Sequence, residues 1–157
     1  MATHNSINTS VYKAIDPSNF TNKFKGKVVL VTGAGRGIGQ GIAIAFARAG
    51  ATLALLDLKK ENLASTIKQC EQFGSDVLSI ACNVADTADV DAAIEEYIPP
   101  FLSVPERRIE KKLGQIDVLV NNAGTNYRKP YHMMTFDEFW KVIEVNFKAV
   151  CFSLGVL

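Results

Sequence analysis

The sequence predicts an α/β fold: an open, doubly wound parallel sheet with strand order 3-2-1-4 and helices on both faces. Three observations carry this expectation. Strand-like and helix-like segments alternate from Lys27 onward, the rhythm of a parallel sheet joined by crossover helices. Two of the strand segments, TLALLD and DVLVNN, are nearly continuous apolar runs, as strands buried on both faces require. Finally, residues 28–50, VVLVTGAGRGIGQGIAIAFARAG, run from a strand through a glycine cluster into an amphipathic helix. That order gathers backbone N–H groups and the positive end of a helix dipole at one point, a natural seat for a pyrophosphate.

The first strand is expected over 27–32 and the first helix over 38–49. In that helix Ile38, Ile42, Ala45, Phe46 and Ala49 recur at helical spacing, and Gly50 closes it. Further strands are expected at 52–57, 76–81 and 116–120, and further helices at 60–73, 86–98 and 135–154. Right-handed crossovers then place the first strand between the second and the fourth. Residues 1–23, rich in Ser, Asn and Thr, read as a flexible N-terminal arm tied down near Phe20 and Phe24. Residues 24–157 read as one α/β domain. Within it, 97–109 reads as an insertion: Pro99, Pro100 and Pro105 cannot lie inside a helix, so the helix from Asp86 must stop near Tyr97.

Composition narrows the function classes. A chain of 157 residues with 48% apolar and 21% charged residues has the balance of a globular domain able to bury a core. A formal net charge of +1 gives no reason to expect nucleic acid or an anionic membrane as partner. Arg107, Arg108, Lys111 and Lys112 are interleaved with Glu106 and Glu110, the pattern of a solvated helix face. The odd number of cysteines, Cys70, Cys82 and Cys151, at spacings unlike a metal site, suits free thiols in a reducing compartment. With no apolar leader and no run of the ~20 apolar residues a membrane helix needs, the expected location is cytoplasmic.

The glycine segment departs from G-x-G-x-x-G, because Ile38 stands at the third glycine position counted from Gly33; it fits T-G-x-x-x-G-x-G as Thr32, Gly33, Gly37 and Gly39. A glycine turn alone is weak evidence, and its place between strand and helix is what points to a nucleotide. Asp57 ends the second strand, where a carboxylate can accept hydrogen bonds from both hydroxyls of an adenosine ribose. It would also repel a 2′-phosphate. Two unit charges ~4 Å apart interact by about 4 kcal/mol at an effective dielectric of ~20, which favours NAD over NADP. Arg36, Lys59 and Lys60 would soften that preference, and a helix-capping role for Asp57 is the competing reading. Asn121-Asn122-Ala123-Gly124 follows the fourth strand, with small residues and amides suited to close approach of a nucleotide.

VTGAGRGIG, the acid of LLDL, CNV, DVLVNNAG and the helical VIEVNF together resemble the short-chain dehydrogenase/reductase family, in order and spacing, from about residue 24 to about residue 150. The resemblance implies a partial NAD-binding Rossmann domain with the cofactor across the strand ends. Carried over position by position, Gly33, Arg36, Gly37, Ile38 and Gly39 would line the pyrophosphate. Asp57 would hold the ribose with Leu58 beside it, Asn83 and Val84 would meet the adenine, and Asn122, Ala123 and Gly124 the inner edge of the nucleotide. Asn83 stands where the family commonly has Asp, and its amide oxygen can still accept from the adenine amine. Asn146 matches the helical asparagine of the family's catalytic tetrad, which holds a water in the proton relay; the plainer reading, a buried Asn bonded to the helix backbone, is compatible with that role. NNAGTNYRKP followed by FWKVIEVN is similar to sugar-acid and polyol dehydrogenases such as gluconate dehydrogenases.

The resemblance implies hydride transfer between nicotinamide and a small alcohol or carbonyl substrate, with a Tyr and a Lys four positions later moving the proton and a Ser placing the substrate oxygen. Four positions after Tyr12, Tyr97, Tyr127 and Tyr131 stand Asp16, Phe101, Tyr131 and Thr135, so no tyrosine has the lysine. The expectation is therefore a cofactor-binding half with Asn146 as its one tetrad residue and no turnover on its own. A non-catalytic dinucleotide-binding module is the alternative, and family-like homo-oligomers are expected only of a complete chain. The fourth strand, without a further neighbour, is expected to leave Val118, Leu119 and Val120 on an open apolar edge that lowers solubility.

Overall fold

The computed structural model describes residues 13–97 and 116–153. The start of the expected arm (1–12), the expected insertion from residue 98 on, the charged stretch 106–112 and the end of the apolar tail (154–157) lie outside the described residues. The elements are β1 (Val28–Thr32), α1 (Gly37–Arg48), β2 (Thr52–Asp57), α2 (Ala64–Glu71), β3 (Val77–Ala81), α3 (Thr87–Tyr97), β4 (Val118–Val120), α4 (Phe136–Ile143) and α5 (Ala149–Ser153). The four strands form one sheet in the order β3-β2-β1-β4, every pair parallel, as the alternating pattern predicts.

The register explains how both faces are covered. Val28 pairs with Thr52 and Thr32 with Leu56, Val31 pairs with Val120, and Asp57 pairs with Ala81. The carboxyl ends of the strands therefore lie along one edge of the sheet. Because side chains alternate across a strand, Val29, Val31, Leu53 and Leu55 point to one face. There they pack with Ala43 and Ala47 of α1 and Cys70 of α2. Val28, Leu30, Ala54, Leu56 and Ile80 point to the other face, with Ala93 of α3 and Ile116. Val145, Ala149 and Val150 border a cleft on that second face together with Leu30, Leu56 and Leu119.

Several boundaries differ from the sequence expectation, each for a local reason. The fourth strand is shorter than 116–120 and begins at Val118. Just before it, Asp117 meets β1 with both backbone and side chain: its N–H donates to the Val28 carbonyl at 2.9 Å, Oδ2 accepts from the Val28 N–H at 2.9 Å and Oδ1 from Lys27 Nζ at 2.6 Å. The helix expected over 60–73 opens with a 3₁₀ turn, Lys60–Leu63, and ends at Glu71. The helix expected over 135–154 is interrupted by a π turn, Glu144–Lys148. Its start is sharp, because Thr135 and Glu138 form a reciprocal capping box. Within the segment read as a flexible arm, Lys13–Ile15 and Pro17–Phe20 form 3₁₀ turns, and just after it Phe24 meets the Phe46 ring edge-on at 4.9 Å. The three cysteines are free thiols, Cys70 and Cys82 buried and Cys151 exposed.

Candidate functional site

The site lies where the carboxyl ends of β1, β2 and β4 meet, and backbone hydrogen bonding builds most of it. At the end of β1 the Thr32 hydroxyl accepts from the N–H groups of Asn122 and Ala123, both at 3.0 Å, and donates to the Val120 carbonyl at 3.3 Å. Asn122 answers with its side chain: Nδ2 donates to the carbonyls of Thr32 at 2.9 Å and Gly33 at 3.0 Å. The glycine turn and the 121–124 turn, ninety residues apart in sequence, are thus one hydrogen-bonded unit. Asn122 positions the turn with its side-chain amide.

Close approach explains two of the glycines. A Cβ at Gly33 would lie 2.8 Å from Ala123 Cα, and the φ of +63° there is one that side chains disfavour. A Cβ at Gly39 would run into the Gly33 carbonyl and the Asn122 amide. Arg36 is the extended N-cap of α1 and makes no side-chain capping bond, so the N–H groups of the first helical residues, Gly37, Ile38 and Gly39, have no partner within the helix. Ile38 is 78% exposed.

Asp57 closes the other side. Its Oδ2 accepts from the Gly35 N–H at 3.0 Å, and Oδ1 from the Leu58 N–H at 2.9 Å and from Asn62 Nδ2 at 2.7 Å. The carboxylate is therefore fixed against the glycine turn. The 3₁₀ helix that follows β2 has Lys59 at its N-cap with no side-chain cap bond, so Asp57 is not its cap. Leu58 is mostly exposed beside it. The Cys82 N–H donates to the Asp57 carbonyl at 2.9 Å, which places residues 83 and 84 next along the same edge. Asn83 has its amide oxygen engaged by the Ala85 N–H at 3.2 Å, leaving one lone pair for an outside donor, while Val84 lines the cleft on the second face. Burial pushes the neighbouring Cys82 thiol up to about 11, so it stays protonated at neutral pH.

Asn146 reaches the site from the π turn. Its Oδ1 accepts from the Thr125 N–H at 2.8 Å and its Nδ2 donates to the Thr125 carbonyl at 3.0 Å. The expectation of a buried asparagine bonded to its own helix is corrected on both points: Asn146 is exposed and pairs with a loop twenty-one residues away. A Cβ on Gly124 would sit 3.4 Å from that Oδ1. π turns commonly mark functional positions.

The structure thus brings Gly33, Gly39, Asp57, Asn122 and Ala123 into one cradle. Arg36, Gly37 and Ile38 form its exposed rim, Asn83 and Val84 lie at its β3 end, and Gly124 and Asn146 lie at its β4 end. Sequence reasoning missed Asn62 and Thr125, whose partners are set by tertiary structure. The signal that could have found the Thr32 hydroxyl was its fixed place before the glycines. Among the described residues no cluster of His, Cys, Asp or Glu could hold a metal, and no helix is long and apolar enough to cross a membrane.

Comparison with known proteins bears on the same residues. A family model described as short chain dehydrogenase matches residues 27–154. The 3-oxoacyl-[acyl-carrier-protein] reductase FabG of Thermotoga maritima is 36% identical over 128 residues, covering 82% of this chain and 47% of that protein. The 5-keto-D-gluconate 5-reductase of Escherichia coli is 34% identical over 125 residues, covering 80% of this chain and 44% of that protein. A solved metagenomic short-chain oxidoreductase in complex with NADP superposes with a TM-score of 0.71 at 30% identity, over 85% of this chain and 56% of that one. The chain spans about half the length of the curated relatives it matches.

Proposed function

This chain belongs to the short-chain dehydrogenase family, and from that premise we propose that it is the nucleotide-binding half of an NAD(P)-dependent oxidoreductase acting on a small alcohol or carbonyl compound. The observation that carries the reading is the cradle itself. Glycines whose Cβ atoms would collide with Ala123 and Asn122, the helix N–H groups of residues 37–39 and a fixed carboxylate at Asp57 together fit a dinucleotide. The backbone of 36–39 would hold the pyrophosphate, Asp57 the adenosine ribose, Asn83 and Val84 the adenine edge, and 122–124 the inner edge. When bound, the nicotinamide supplies the hydride acceptor or donor. Asn146 would steady the wall beside it through Thr125.

For the choice of nucleotide we infer a preference for NAD, supported by the Asp57 carboxylate where a 2′-phosphate would have to sit. The neighbour solved with NADP supports the opposite choice, so the two dinucleotides are compared directly. A sugar-acid or polyol substrate is supported by the stretch NNAGTNYRKP and by the similarity to the 5-keto-D-gluconate 5-reductase.

Titrating the full chain with NADH and with NADPH, followed by nicotinamide fluorescence, tests this reading. Saturable NADH binding that is weaker for NADPH, with the preference reduced by Asp57→Asn, is the expected result. A folded chain that binds neither nucleotide contradicts the reading.

A further inference from the structure

Among the described residues, the buried polar side chains are Thr32, Thr66 and Ser75. Thr32 belongs to the cradle already described, and Ser75 donates to the Ala51 carbonyl at 2.6 Å, at the opposite end of the sheet. Thr66 is different. It is wholly buried in α2, outside the strand-end cradle, beside the apolar layer that includes Ala34, Leu63 and Cys70. Burying a hydroxyl in such a layer is unfavourable unless it is hydrogen-bonded, and a valine would fill nearly the same volume. Its bonds show what the hydroxyl is for. Thr66 Oγ1 donates to the Ala34 carbonyl at 2.9 Å, with the Gly35 carbonyl oxygen 3.5 Å away, and accepts from Gln40 Nε2 of α1 at 3.1 Å.

We propose that Thr66 is a positioning residue for the pyrophosphate, holding the carbonyls of the glycine turn away from the place the anion occupies. The claim rests on the nucleotide reading above. The peptide joining Ala34 to Gly35 is fixed at both ends: its carbonyl by Thr66 and its N–H by Asp57 Oδ2 at 3.0 Å. The Ala34 N–H is bonded to the Leu56 carbonyl at 3.0 Å, so that residue has no slack. In a trans peptide the N–H points opposite to the C=O, and no peptide in the described chain is cis. With the Gly35 carbonyl turned toward Thr66, the Arg36 N–H is turned toward the mouth, beside the helix N–H groups of 37–39. Without the hydroxyl, the Ala34 carbonyl is buried with no donor. The peptide then gains by rotating, which would present a carbonyl dipole to the anion.

Thr66→Val, Thr66→Ser and Gln40→Met test the claim in the full chain, with the affinities for NADH, ADP and adenosine and the melting temperature of the free protein measured for each. The expected result for Thr66→Val is NADH and ADP binding weakened by about tenfold or more. Adenosine, which carries no phosphate, should bind as it does to the parent chain. Thr66→Ser keeps the donor and should stay within about twofold of the parent, and Gln40→Met should weaken NADH several-fold with adenosine unchanged. Should Thr66→Val fail to fold, Gln40→Met carries the test, and undiminished NADH affinity there would overturn the proposal. Equal loss of NADH and adenosine together with a lowered melting temperature would also overturn it, since that is a purely structural effect. Parent chain that binds none of the three ligands would instead remove the nucleotide reading, and this proposal with it.

Discussion

The two flanks of the site are held together in different ways. On the β1–α1–β2–α2 side, Val29, Val31, Leu53 and Leu55 are wholly buried, and the glycine turn is anchored to that core through Asp57, Asn122 and Thr66. On the β4–α4 side, β4 is only half-buried and α4 buries no residue. Phe136, Trp140 and Phe147 are exposed there. Beyond the pairing of β4 with β1 and the Asn122 bonds to Thr32 and Gly33, what orders this side is a small set of surface polar ties: the Asn146–Thr125 pair, the Thr135–Glu138 capping box and the Lys129–Glu138 ion pair. The proposed anion site is thus tied to the packing of the core, whereas the wall where a substrate would lie rests more on a few surface hydrogen bonds. Loss of a core residue should disturb binding and folding together; loss of a surface tie should disturb only the wall.

The largest expected effect follows from the core. Leu55→Ala should destabilise the chain by about 2–5 kcal/mol and abolish nucleotide binding with it. Trp140→Ala, which removes a ring stacked on Phe136 at 6.2 Å, should change stability by about 0.5–1.5 kcal/mol and leave NADH affinity intact. Chemical denaturation with parallel NADH titration checks both, and equal losses for the two variants would erase the contrast between the flanks.

A smaller effect is expected at Asn146. Replacing it by alanine removes two hydrogen bonds to Thr125, worth about 0.5–1.5 kcal/mol each net. Exchange of the Thr125 amide should accelerate while the amides of β1 and β2 keep their protection. Faster exchange in β1 would show that the wall and the core are one unit.

Legibility in the sequence divides along the same line. The β1–α1–β2 portion could be read because its signals are local: an apolar run, a glycine turn, a helix periodicity and an acid at a strand end. The strand order followed from right-handed crossovers. What could not be read depends on pairs far apart in the chain. Nothing near Thr66 announces that its hydroxyl meets Ala34, thirty-two residues away, and nothing near Thr125 announces Asn146. The π turn was invisible because its residues, Glu144–Lys148, continue the apolar rhythm of an ordinary helix. The fourth strand is two residues shorter than its apolar pattern suggests, although Asp117 still meets β1 through both its N–H and its carboxylate.

The smallest effect concerns pH. Hydrogen bonds from Lys27 and from the Val28 N–H hold the Asp117 carboxyl below its ordinary value, and those from Lys129 and Thr135 do the same for Glu138. A carboxylate with a lowered pKa in the folded state contributes stability above its unfolded value, and the contribution fades as pH falls through the folded one. Acidification below about pH 4 should therefore loosen the start of β4 and the N-terminus of α4. Melting curves of Asp117→Asn and Glu138→Gln should lose part of the acid-side slope of the parent chain; an unchanged slope would assign acid sensitivity to other groups.

Amide hydrogen exchange of the full chain with and without saturating NADH compares the two flanks most directly. Slower exchange is expected at residues 36–39 and 122–125, with residues 136–143 of α4 unchanged. Protection centred on α4 with the glycine turn unaffected would contradict the assignment of the nucleotide to the core-anchored flank.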